Sequence, residues 1–222
     1  ANMILKGGWK AWSRLRKIGL GGAASNAIES GAFASLGLFA GLLGILPLGA
    51  YTVAFNMLAL TFMFALGLGS AAAVSVGMAH GRNDIREMAL AGWTSLGIAI
   101  ISMSFLGLVL FNFSIQIASS LTNDPVLVSE AAPIIAFIAI VLIADGSQSV
   151  MAHALRGCGE TWVPATLHVI AYILIMIPLA HYLALTSQRG TIGLFESILA
   201  ASIISGGLAA MRFRYLTKIP FH

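Results

Sequence analysis

The sequence predicts an all-α integral membrane protein with six transmembrane helices, and three observations carry that prediction. Of 222 residues, 59% are hydrophobic and only 9% are charged, with a mean hydropathy of +0.93. A soluble domain carries about 25% charged residues, so this composition excludes a water-soluble enzyme and equally excludes disorder. Apolar runs of more than twenty residues, without the alternation a membrane barrel needs, leave helices as the spanning element. Lipid is therefore the solvent for most of the surface. The single cysteine, Cys158, has no partner for an internal disulfide and carries no redox information. The net charge of +4 reads as a topological signal, and no nucleic-acid partner is expected.

Charges and turn residues divide the chain into a cytoplasmic basic segment (1–17), a transmembrane lobe (18–212) and a cytoplasmic tail (213–222). The predicted spans are 19–45, 50–78, 90–112, 131–155, 163–185 and 191–211. The second is long for a hydrocarbon core of about 30 Å and must tilt or protrude. Pro47 and Gly49 predict the break between the first two spans. Asp84 and Glu87 have the spacing of a capping box that starts the third. Asn123-Asp124-Pro125 marks another helix start, so a short interfacial helix is expected within 113–130.

The basic residues then set the orientation. Lys6, Lys10, Arg14, Arg16 and Lys17 precede the first span, and Arg82 and Arg86 follow the second. Arg156 follows the fourth, and Arg212, Arg214 and Lys218 follow the sixth. With six spans all of these lie at one end and only Arg189 at the other. The positive-inside rule then places both termini in the cytoplasm of a multi-pass protein of the cell (inner) membrane. Trp9, Trp12, Trp93 and Trp162 fall at that same interface, as an aromatic belt. Small residues such as Gly37, Gly41, Gly67, Gly69, Gly206 and Gly207 are expected at close helix contacts.

Three acids fall inside predicted spans. A carboxylate at mid-bilayer costs about 2.5–3.5 kcal/mol on insertion scales, and such residues face a bundle interior or a wet cavity. Glu29 lies twelve residues beyond Lys17, about 18 Å deep. Asp145 lies eleven residues before Arg156, about 16 Å deep from the same edge. Two carboxylates on different helices therefore share one level. Ser25 and Asn26 accompany Glu29 on its helix face, Gln148 and Ser149 accompany Asp145, and Asn56 is expected at similar depth. Oxygen donors without sulfur suit a hard cation such as Na⁺, held by Glu29 and Asp145, or a shared proton. Helix glue between acids and neighbouring hydroxyls is the plain alternative. Glu196 is expected to snorkel or to pair with Arg189. His168 and Tyr172, one turn apart, either line a cavity or pack.

Two long stretches resemble the C-terminal lobe of the multidrug and toxic compound extrusion (MATE) family. One runs from Glu29-Ser30-Gly31-Ala32-Phe33-Ala34 through Asn56 and Gly67-Leu68-Gly69 to His80-Gly81-Arg82-Asn83-Asp84. The other runs from Asp145-Gly146-Ser147-Gln148-Ser149 to Leu155-Arg156-Gly157 and Pro164. The likeness extends from about residue 12 to 211. It implies a secondary antiporter that exports organic cations in exchange for Na⁺ or H⁺, with no cofactor beyond that coupling ion. Glu29 and Asp145 match the acids that hold the coupling cation in bacterial members, and Phe33 belongs to the matched cavity wall. The family has twelve helices in two lobes, and the N-terminal lobe has no counterpart here. A piece of a longer transporter, suggested also by the start at Ala1, is favoured over two copies pairing in parallel about an axis normal to the membrane.

Other readings have their own signatures. A lipid-linked precursor flippase of the same superfamily needs basic residues in its cavity, and a membrane-embedded hydrolase needs both acids open to a substrate cleft. An assembly subunit would tolerate loss of both acids.

Overall fold

The computed structural model describes residues 12–218, which form helices joined by short turns. Lys6, Lys10 and Trp9 lie outside the described residues, as does the end of the tail from 219. Six helices are long and apolar enough to cross a membrane, which is the predicted architecture. They are α1 (Ser13–Leu43), α2 (Ile45–Gly81), α3 (Ile85–Asn112), α5 (Pro125–Gly157), α6 (Trp162–Thr186) and α7 (Thr191–Leu216). A short α4 (Ser114–Leu121) follows α3.

Local chemistry sets the helix ends. Gly44 alone separates α1 from α2, at φ +123°, a conformation that side chains with a Cβ rarely adopt. The predicted break at Pro47 and Gly49 is therefore displaced. Pro47 sits in the first turn of α2, where a missing N–H costs nothing, and Gly49 packs on Leu127 within the helix. Asp84 caps α3 by accepting from the Glu87 N–H at 2.9 Å. The capping box is only half formed, because Glu87 turns to Arg82 at 2.7 Å. Asp124 caps α5 through the Val126 N–H at 2.9 Å, with Pro125 at its first position. The interfacial helix is thus confined to 114–121, and residues 125–130 belong to the fourth span.

Helix α6 differs from a simple span. It is α-helical over Trp162–His168, π-helical over Val169–Met176, α-helical over Ile177–His181 and π-helical again to Thr186. Pro178 has no N–H to donate to the preceding turn, and the wider coil accommodates that loss.

Helix α5 is the centre of the bundle. It packs on α2, α3, α4 and α7, and buries Ile135, Ile138, Leu142, Met151 and Leu155. Consecutive spans run antiparallel. At one end Thr191 of α7 meets Pro47 and Gly49 meets Leu127. At the other, Met88 meets Cys158, Gly92 meets Phe213, and Arg212 pairs through two nitrogens with Glu160. This second end collects Arg82, Arg86, Arg156, Arg212 and Arg214 and is called the basic end below. Trp12, Trp93 and Trp162 lie there, partly exposed.

The close approaches differ in part from the expected small-residue sites. Gly69 and Gly206 do lie against His153 and Gln148, whereas Gly41, Gly67 and Gly207 face open space. The tightest backbone contacts are elsewhere. A Cβ on Gly157 would stand 2.6 Å from the Ala73 carbonyl oxygen, and one on Gly107 2.7 Å from that of Ala139. Backbone cannot yield as a side-chain tip can. Gly107→Ala is therefore expected to destabilise the bundle by about 1–3 kcal/mol. Gly97→Ala, in the same helix with open space around it, should be neutral or slightly stabilising. Unfolding in detergent micelles compares the two.

Burial, helped by the Glu160 charge, pushes the Cys158 thiol up to about 11. Only the thiolate reacts readily. Alkylation by N-ethylmaleimide should be slow at pH 7 and its rate should climb with pH toward 11. A rate that levels off below pH 9 would contradict this.

Candidate functional site: an acidic cavity between α1 and α2

Near the bundle's mid-level α1 and α2 part to leave a cavity of about 610 Å³. Asn26, Glu29, Ser30, Phe33, Ala34 and Gly37 line it from α1. Tyr51, Phe55, Leu58, Ala59, Phe62, Met63 and Leu66 line it from α2, and Asp145 reaches it from α5. The 3.6-residue period explains the α1 wall, since positions 26, 29/30, 33/34 and 37 share one face. Both mid-level acids therefore open on one space. Aromatic rings build the rest: Phe33 packs on Phe55 at 5.5 Å, and Tyr51 stacks on Phe55 at 5.5 Å. The Tyr51 hydroxyl donates to the Phe33 carbonyl at 3.1 Å and ties the two helices above the acids.

The two carboxyl groups have different settings. Asp145 is 2% exposed and accepts a 2.8 Å hydrogen bond from Ser202 of α7. Glu29 keeps 20% of its side chain exposed and has His168 Nδ1 at 3.8 Å. One acid is held, and the other is freer to move.

Behind the acids lies a buried polar network that spans four helices. Gln148 donates through Nε2 to His168 Nε2 at 2.8 Å and to Ser205 at 3.3 Å, while Tyr172 donates to Gln148 Oε1 at 3.4 Å. An amide nitrogen can only donate, so His168 is the neutral tautomer that carries its proton on Nδ1. That nitrogen donates to Ser25 Oγ at 3.0 Å. The Ser25 oxygen also accepts from Arg156 Nη2 at 2.9 Å. Tyr172 closes the cluster edge-on to His168, with ring centres 5.1 Å apart.

The residues named from sequence thus divide. Glu29, Asp145, Asn26 and Phe33 line the cavity. Ser25 and Gln148 are buried but serve His168 and Arg156 rather than the acids directly. His168 and Tyr172 take the packing alternative: neither lines the cavity, and both lie behind it, 2% and 0% exposed. Ser149 is buried and does not line the cavity, and its carbonyl accepts from His153 Nδ1 at 2.8 Å. Asn56 is exposed and is not among the residues that line the cavity, although Ala59 and Met63, one and two turns further along α2, are. Glu196 pairs with Arg189 at 2.9 Å, as expected.

Sequence reading missed Ser202 and Ser205. Their signal was a pair of serines three apart at the middle of an apolar span, a spacing that puts both on one face. It also missed that Arg156 extends inward from the basic end. Among the described residues no three His, Cys, Asp or Glu side chains gather as metal ligands. The oxygens of Glu29, Asp145, Asn26 and Ser30 form the donor set. They suit a monovalent hard cation or a proton.

The Ser202 hydroxyl is the direct support of Asp145. Ser202→Ala is expected to lower stability by about 1–2 kcal/mol, read as a drop in the thermal midpoint in detergent. Ser202→Thr should retain most of it.

Comparison with known proteins gives the relationship. The MatE family model matches residues 23–182. A probable multidrug resistance protein NorM of Caulobacter vibrioides is 38% identical over 201 residues, covering 90% of this chain and 43% of that protein. The multidrug resistance protein NorM of Burkholderia vietnamiensis is 34% identical over 196 residues, covering 86% and 42%. A crystal structure of a MATE protein in the straight conformation superposes with a TM-score of 0.87 at 18% identity, covering 95% of this chain and 48% of that one. The chain spans about half the length of the curated relatives it matches. It is a multi-pass membrane protein of the MatE family, and its six helices have the fold of one lobe.

Proposed function

We propose that this chain is the C-terminal six-helix lobe of a secondary antiporter that exports organic cations in exchange for Na⁺ or H⁺. The observation that carries the reading is that Glu29 and Asp145, from different helices, line one aromatic-walled cavity. Two carboxylates in a low-dielectric space cannot both remain charged unless a cation lies between them or one holds a proton. The names of the relatives, multidrug resistance proteins, agree with that chemistry. The organic substrate is expected to be cationic, since acids and ring faces attract positive charge and the described cavity wall has no Lys or Arg. The same wall speaks against a phosphate-bearing lipid precursor.

Transport would proceed by alternating access. Cation binding neutralises the acid pair, and the coupling ion drives export only if it prefers one conformation over the other. The π-helical stretch of α6 beside His168 and Tyr172 offers a place for that change, since such coils accompany functional hinges. A second six-helix lobe, in the same longer chain or as a second copy, completes the pathway. The basic end faces the cytoplasm of the cell (inner) membrane, with both termini inside.

The complete transporter in proteoliposomes, loaded with an ethidium-like dye, tests this. Asp145→Asn and Glu29→Gln should each cut cation-stimulated efflux on the order of 10–100-fold while insertion into the membrane is unchanged. Wild-type efflux from Asp145→Asn would refute the assignment. Running the assay with and without Na⁺ at fixed pH distinguishes the two coupling ions.

A further inference from the structure

Arg156 is a half-buried guanidinium that the transport reading leaves unused. Arg82, Arg189 and Arg212 each sit on a glutamate, with 39–59% of their side chains exposed. Arg156 is more enclosed, yet no carboxylate lies within ion-pair distance of it among the described residues. Its donors go to neutral groups. Nη2 donates to Ser25 Oγ at 2.9 Å and Nη1 to His153 Nε2 at 3.4 Å. Its Nε is shut off from solvent without a hydrogen-bond partner. His153 is neutral in this arrangement, because its Nε2 accepts from the guanidinium while its Nδ1 donates to the Ser149 carbonyl.

Glu29 has the complementary deficit. It stands one turn above Ser25 on the same face of α1, roughly 6 Å along the axis. Its nearest basic atom is the neutral His168 Nδ1 at 3.8 Å, which already serves Ser25. A half-buried guanidinium and a half-buried carboxyl group thus share one wall, separated by a serine and a histidine. Each is stabilised less than direct contact would allow.

We propose that Arg156 is a built-in cation that competes with the coupling ion for Glu29. With the site loaded, Ser25 and His153 hold the guanidinium back. When the site empties, the side chain moves up one turn and pairs with the carboxylate. The unloaded acid is then neutralised from within, and the carrier can reorient without a naked charge in the membrane. Ser25 is the latch, a positioning residue acting through Arg156. The inference rests on Glu29 and Asp145 binding the coupling ion.

The test is the thermal midpoint of the complete transporter in detergent, which rises with a ligand that binds the folded state. It is titrated with NaCl at fixed pH, and separately with pH in Na⁺-free buffer. The double variant Glu29→Gln/Asp145→Asn sets the baseline. Removing a competing unit charge, Arg156→Gln should shift the response to cation concentrations on the order of tenfold lower. Arg156→Lys should stay near wild type. Ser25→Ala, which frees the guanidinium, should shift the response on the order of tenfold the other way. A purely structural role would weaken the response in both variants.

An unchanged or weakened response in folded Arg156→Gln overturns the proposal. Should that variant not fold, an unchanged or tightened response in Ser25→Ala overturns it alone. A wild-type protein without a carboxylate-dependent cation response defeats the transport reading as well. A normal response that neither variant moves defeats only the role given to Arg156.

Discussion

A charge inside lipid must find company, and much of this molecule is organised around that requirement. Asp145 takes a hydroxyl from Ser202, Glu29 has the His168 imidazole at 3.8 Å, and behind them an amide, hydroxyls and a guanidinium from four helices satisfy one another. The backbone faces the same constraint. Spans are continuous helices whose peptide groups satisfy one another, and where Pro178 breaks that pattern the chain widens rather than unwinds.

The two acids divide the work through their surroundings. Ser202 fixes Asp145 in a buried position, while Glu29 retains a view of the cavity and has no close hydrogen-bond donor. A site made of one rigid and one adjustable ligand can close on a small cation and release it. The aromatic wall formed by Phe33, Tyr51 and Phe55 adds a surface that accepts flat or bulky cations without specific hydrogen bonds. On the proposed transport function such a wall would give broad selectivity, because ring faces impose little geometry.

Much of the fold was legible because lipid simplifies the code. Apolar length, charge placement and the caps at Asp84 and Asp124 located the spans. The depth of Glu29 and Asp145 followed from residue counts, and the cavity joins them. Rotation about the helix axis was harder to read. Asn56 is exposed and Ser149 is buried, and neither lines the cavity. Uniformly apolar helices give no strong moment to set their rotation, so a polar residue can point anywhere until its neighbours are known. Long side chains posed a second difficulty. Arg156 belongs by position to the basic end, yet it extends inward to Ser25, a contact no spacing rule anticipates. The glycine contacts show the same limit, since Gly107 and Gly157 were indistinguishable from Gly41 until partner backbones were in place.

The single-residue link at Gly44 has a mechanical consequence. With no slack between them, α1 and α2 are pinned together at the end opposite the arginines, like tongs riveted at the tip. The Tyr51 hydroxyl bound to the Phe33 carbonyl adds a second fastening further along. Any swing of α1 away from α2 is therefore widest at its basic end. With the two helices held at the opposite tip, an opening on that far side has to come from movement of the pair as a unit.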